Sequence, residues 1–194
     1  MGELPRPRSD LAAAAVGGTS YVVGGFDGSS MTPDVLATAD GARFTVAGRL
    51  AAGVRYAAVA ALGDALWVIG GQLGTAESSS VGGQTDAVQR VELRTGKTSI
   101  VGHLPVPLGH ASAFVLANRL FVAGGVSGTT HQNQIFEVDP TTGAVTTAGS
   151  LPGARSDAGT VVIGPTAYMV GGEATSPTSP LDTVVAITLR SASP

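Results

Sequence analysis

Short apolar runs alternate with glycine-bearing punctuation along the chain, and nowhere do apolar residues recur at the three-to-four-residue spacing of a capped helix. Runs at 11–16 and 20–23 flank Gly17-Gly18, and runs at 35–39 and 43–47 flank Asp40-Gly41. Asp-Gly between strand-like runs predicts a hairpin, because both residues accept positive φ. The plan then repeats. Strands are expected over 57–62, 65–69, 87–93 and 98–102, with Thr95-Gly96 at the last turn. Next come 111–116, 120–123, 135–138 and 144–148, with Thr142-Gly143. The fourth unit offers 159–163, 167–170 and 183–189 and no fourth strand. Two markers share one period. The pairs Gly24-Gly25, Gly70-Gly71, Gly124-Gly125 and Gly171-Gly172 recur at intervals of 46, 54 and 47 residues, and so do Leu4, Leu50, Leu104 and Leu151. Periods of this length mark solenoids, propellers or arrays. The chain therefore reads as one all-β repeat region over 1–194, with units at about 5–50, 51–105, 106–152 and 153–194.

Three positions before each glycine pair stands an aromatic: Tyr21, Trp67, Phe121 and Tyr168. A large ring at one equivalent point per unit suits packing between neighbouring sheets, and the glycines let backbones pass closely. Packing is a better account of these rings than a sugar-stacking platform. Composition narrows the classes further. Charged residues are 13% and hydrophobic residues 43%, which excludes a disordered chain. Eleven basic against fourteen acidic residues give a formal charge of -3 and no footprint of a nucleic-acid binder. With no cysteine, disulfides, thiol catalysis and thiolate-held metals are excluded. No apolar run has the length of a helical membrane span, and the start, Met1-Gly2-Glu3-Leu4-Pro5-Arg6, lacks a signal-peptide pattern.

The unit of strand, short turn, aromatic-x-x-Gly-Gly, loop, strand, turn and strand ending near Leu-Pro resembles the kelch repeat over the whole chain. The segments from Arg8-Ser9-Asp10 to Gly25 and from Arg155-Ser156-Asp157 to Gly172 match in register. Kelch units commonly carry a tryptophan in the fourth strand; here Trp67, the one tryptophan, falls in a second strand. The resemblance implies a β-propeller of four-stranded blades, with four blades in this chain and the last incomplete. It also implies a larger ring with about two further blades, or a small ring or open arc that pairs with a second copy. The sequence style resembles kelch domains of secreted or envelope-associated bacterial proteins, which implies an exported setting; the residues themselves name no compartment.

Strand parity puts the second-to-third-strand loops (26–34, 72–86, 126–134 and 173–182) on the same face as the crossings between blades. Loops on a rigid scaffold concentrate binding residues. At the crossings lie Arg8, Asp10, Arg55, Tyr56, His110, Arg155 and Asp157, expected to ring one channel mouth with three arginines against two aspartates. Such a ring either braces blade to blade or holds an anionic or polyhydroxyl ligand. His103, His110 and His131 show no metal-ligand spacing, and no nucleophile elbow or phosphate loop is present. The reading favours a non-enzymatic scaffold, with no cofactor, that presents the loops and mouth to a protein, peptide or glycan. The alternative, implied by resemblance to bacterial kelch sugar mutarotases, is a carbohydrate-processing enzyme using the same mouth.

Overall fold

Seventeen strands and no helix make up the described residues, 2–74, 83–175 and 179–190 of a computed structural model. The first blade is β1 (Ala12–Val16), β2 (Thr19–Val23), β3 (Asp34–Thr38) and β4 (Thr45–Arg49). The second is β5 (Ala58–Leu62), β6 (Ala65–Ile69), β7 (Ala87–Glu92) and β8 (Thr98–His103). The third is β9 (Ser112–Leu116), β10 (Arg119–Ala123), β13 (Gln134–Val138) and β14 (Val145–Ser150), with a two-stranded ribbon, β11 (Val126–Ser127) and β12 (Thr130–His131), in its loop. The fourth is β15 (Gly159–Ile163), β16 (Thr166–Val170) and β17 (Val184–Thr188). All neighbours pair antiparallel in sequence order, and the first strands β1, β5, β9 and β15 lie side by side as the inner wall of a four-blade propeller arrangement.

Local chemistry sets each turn. Both turn residues have positive φ at Gly17-Gly18 and at Ala117-Asn118, and the first alone does at Gly63-Asp64 and Gly164-Pro165. These are the primed turns whose twist matches paired strands. The third-to-fourth-strand connections are longer than the two-residue hairpin expected at Asp40-Gly41. There the Asp40 carboxylate accepts from the Ala42 and Arg43 amides, and Asp139 does the same for Thr141 and Thr142. A bulge falls at one equivalent place in every outer pair, at Val35/Leu36, Val88/Gln89 and Ile135/Phe136. A bulge adds a residue to one strand and turns it, and the outer strands accordingly end two residues past their expected bounds at Arg49 and Ser150.

The core lies between blades. Tyr21, Val35, Leu50 and Leu66 fill the first interface, Trp67, Val88, Leu104 and Leu120 the second, and Phe114, Phe121, Leu151 and Met169 the third. Tyr21, Trp67 and Phe121 are buried on β2, β6 and β10; Tyr168, on β16 of the end blade, is half-buried. The first glycine of each pair explains the close fit. Gly24, Gly70 and Gly124 have φ near +65°, and a Cβ on any of them would overlap the carbonyl of Val54, Leu108 or Arg155 in the next blade. Each pair's second amide donates to that same carbonyl, at 2.7–2.8 Å.

Candidate functional site

The mouth of the inner wall is built by one backbone ladder. Tyr56 N–H donates to the Asp10 carbonyl at 3.0 Å, His110 N–H to Tyr56 at 2.9 Å, and Asp157 N–H to His110 at 3.0 Å. All four residues have positive φ, between 52° and 61°. Asp and His tolerate this region better than most residues, whereas a tyrosine there is uncommon. The ladder overrides that preference because each crossing must hand the chain from an outer strand to the next inner strand.

The crossing residues also pair with the loops. Ser9, Arg55, Gly109 and Ser156 form bridges to Phe26, Gln72, Val126 and Glu173, the residues directly after each glycine pair. Mouth and loop bases are thus one continuous surface. Its centre is a cavity of about 230 Å³ lined by Asp10, Tyr56, His110 and Asp157 together with the residue after each.

Side chains in and beside the cavity form a chain of contacts across the blades. The Arg55 guanidinium lies 5.5 Å from the Phe26 ring centre and 5.1 Å from that of Tyr56. Arg55 Nε donates to Gln72 Oε1 at 2.9 Å, and its Nη1 is 3.6 Å from Asp10 Oδ2. Tyr56 stacks on His110 with ring centres 3.9 Å apart. His110 Nδ1 lies 2.7 Å from Asp157 Oδ1. Burial, with the charge of Asp10 and a hydrogen bond to it, pushes the Tyr56 hydroxyl above its ordinary value. Burial also pushes the Asp157 carboxyl upward. The His110 hydrogen bond and charge outweigh it, Ser156 and His131 adding, so the group sits below its ordinary value.

Arg8 and Arg155 stand elsewhere. Arg8 Nη1 donates to the Gly24 carbonyl at 3.1 Å, within its own blade. Arg155, 4% exposed, donates to the carbonyl of Gly171, to the Thr183 carbonyl at 3.1 Å and to Thr183 Oγ1 at 2.6 Å. Their counterparts in the middle blades are the buried Val54 and Leu108; Arg55 is one residue out of register with them and faces the mouth. The groups left at the mouth are Arg55 against Asp10 and Asp157, a formally acidic balance with His110 neutral, where the sequence led us to expect a basic one. Sequence reading missed Phe26 and Gln72. The available signal was their shared place directly after the glycine pairs.

Blade-to-blade bracing also uses residues that the sequence did not single out. Gln89, 1% exposed, accepts from the Ala51 amide at 2.9 Å. Thr98 Oγ1 donates to the Arg49 carbonyl at 2.6 Å, and Ser112 Oγ to the Ala158 carbonyl at 3.1 Å. His103 pairs with Asp86 at the end of β8, and His131 lies in the β11–β12 ribbon. Residues 75–82 of the second blade's loop lie outside the described residues.

Comparison with known proteins agrees with this architecture. Kelch repeat protein M-T8 of myxoma virus (strain Lausanne) is 32% identical over 121 residues, covering 61% of this chain and 22% of that protein. Kelch repeat and BTB domain-containing protein 12 of Danio rerio is 27% identical over 124 residues, covering 59% and 19%. The chain thus spans about a fifth of the length of these curated relatives. The solved structure of YjhT superposes with a TM-score of 0.83 at 18% identity, over 97% of this chain and 65% of that one. No family model matches. Repeat pattern, relatives and fold together make this chain a kelch-repeat β-propeller.

Proposed function

We propose that this propeller is a protein-interaction scaffold that holds its partner on the face where the second-to-third-strand loops meet the mouth. One observation carries the reading. The stack of Phe26, Arg55, Tyr56, His110 and Asp157 runs unbroken from the first blade to the fourth, on a backbone held by the crossing ladder. Rigid aromatic and arginine groups at the centre of a loop-bearing face are what binding hot spots consist of. Asp10 and Asp157 in the cavity wall suit hydrogen-bond donors, such as the amide, ammonium or hydroxyl groups of a peptide or glycan.

Peptide and glycan arrays probed with the wild-type chain and with Tyr56→Ala and His110→Ala test the reading. Expected is a peptide signal that either substitution abolishes, with cooperative melting kept. Equal peptide signal from wild type and both variants would overturn it. The carbohydrate-enzyme reading keeps one supporting observation, the His110–Asp157 pair at 2.7 Å inside the cavity. It requires that the protein speed exchange between sugar anomers, followed by NMR, and that His110→Ala abolish the effect.

A further inference from the structure

We infer that the partner enters the mouth with a lysine side chain, whose ammonium settles against the Asp157 carboxylate, and that a proton on His110 competes with it there. The inference rests on the mouth being a peptide site and names the chemistry of that peptide.

The charges of the mouth are not presented equally. Arg55 is turned inward: its side chain is 13% exposed, its Nε is spent on Gln72, and its guanidinium lies against Phe26 and Tyr56. Asp10 is taken up with it, since Arg55 Nη1 and Ser9 Oγ approach Asp10 Oδ2 at 3.6 and 3.1 Å. The first two blades thus contribute a cation and an anion that cancel. Asp157 is the opposite case. Its side chain is 41% exposed. Its close partners, His110 Nδ1 at Oδ1 (2.7 Å) and Ser156 Oγ at Oδ2 (3.0 Å), carry no charge while His110 is neutral. Each of those oxygens keeps a lone pair for another donor. The third blade sets the carboxylate in place, because the Asp157 amide donates to the His110 carbonyl at 3.0 Å and its side chain meets the His110 ring. An incoming group therefore meets an anion without a counter-charge, and complementary charge selects a cation.

The walls choose the kind of cation. Leu11, Ala57, Ala111 and Ala158, one apolar residue from each blade, line the cavity beside the polar groups. A lysine lays its methylene stem along apolar surface while its ammonium keeps polar company. An arginine fork seeks both oxygens of one carboxylate, and at Asp157 each already has a partner. His110 adds the sensitivity to acid. Histidine is the side chain that takes up charge between about pH 5 and 8, and a protonated ring at 2.7 Å supplies the counter-charge that Asp157 lacks. The ring stands between Asp157 and Tyr56, with Arg55 and Asp10 beyond Tyr56, and His131 of β12 acts on Asp157 through its charge. One arginine against two aspartates becomes, on protonation, two cations against two anions. Lysine and proton then weaken each other's binding by the same factor.

The probes are short peptide pools with lysine, arginine, norleucine or glutamate fixed at one position, titrated into the full chain at about pH 7.5 and about pH 5.5. At the higher pH the lysine pool should bind about tenfold more tightly than the norleucine pool, with arginine between them and glutamate weakest. At the lower pH the lysine advantage should shrink. The His110 ring, followed by NMR, should titrate at lower pH with the lysine pool than without it. Asp157→Asn should melt cooperatively and bind the lysine and norleucine pools alike, whereas His131→Gln should keep the pH dependence. Four outcomes overturn the inference and leave the scaffold reading standing. They are glutamate ahead of lysine, equal binding of lysine and norleucine pools by the wild-type chain, a lysine advantage that Asp157→Asn retains, or one that acid leaves unchanged. No binding by any pool overturns both.

Discussion

Asp10, Tyr56, His110 and Asp157 hold left-handed backbone conformations that cost about 1–2 kcal/mol each in non-glycine residues, and the ladder of amide–carbonyl bonds between them offsets that cost. Asp157 adds an electrostatic consequence. Its carboxyl is held below its ordinary value, so its contribution to stability is present above the unfolded-state value of about 3.9 and is lost as pH falls through the folded-state value. Urea midpoints followed from neutral to acid pH should therefore fall less steeply for Asp157→Asn than for wild type. The arginines divide by the direction of the backbone. Arg155→Ala removes a guanidinium that is 4% exposed, together with its packing and its hydrogen bonds to Gly171 and Thr183, so it should lower the melting temperature. Arg55→Ala strips the buried Gln72 of its partner and takes away the guanidinium that lies against Phe26 and Tyr56, so it should lower both melting and binding; full binding by a variant that still folds would contradict its place in the site.

Among the strands and turns, glycine is required where two blades touch and is merely convenient where a turn faces water. Gly124 and Gly164 both have positive φ, but only Gly124 abuts a neighbouring carbonyl. Gly164→Ala should cost about 1 kcal/mol of left-handed strain, whereas Gly124→Ala adds a backbone collision that can be relieved only by parting two blades. Chemical unfolding of both variants should show the second losing clearly more stability. The second strands of the middle blades are the most buried elements, β6 along its whole length and β10 over all but Arg119. Trp67 fills the middle interface, and Trp67→Ala should cost about 3–5 kcal/mol, a large share of the roughly 5–15 kcal/mol of an ordinary domain; thermal melts of the variant followed by circular dichroism check it.

Across the molecule, four blades share three interfaces, so the end blades carry faces that the middle blades do not. The fourth shows this most, with Val161, Val162, Ile163, Val170 and Val184 all exposed. Among the described residues, the carbonyl that receives the second amide of the glycine pair in the first three blades has no counterpart at Gly172. Local opening is easiest where buried contacts are fewest. Hydrogen exchange should therefore be fastest at β15–β17 and slowest at β6 and β10.

Much of the architecture could be read from residue order, because its devices demand particular residues. Only glycine fits where the backbone turns left-handed against a neighbouring carbonyl, so the interfaces at Gly24, Gly70 and Gly124 leave a periodic mark. A buried ring once per unit leaves another, and the two together gave the blades and their strands. The candidate site was half legible. Which residues lie at the crossings follows from the period, but where they point does not. Successive side chains of an extended segment point to opposite sides, so Arg8 and Arg155 enter their blades while Arg55, one position on, faces the mouth. The stack of Phe26, Arg55, Tyr56 and His110 joins residues from three blades and has no local signature.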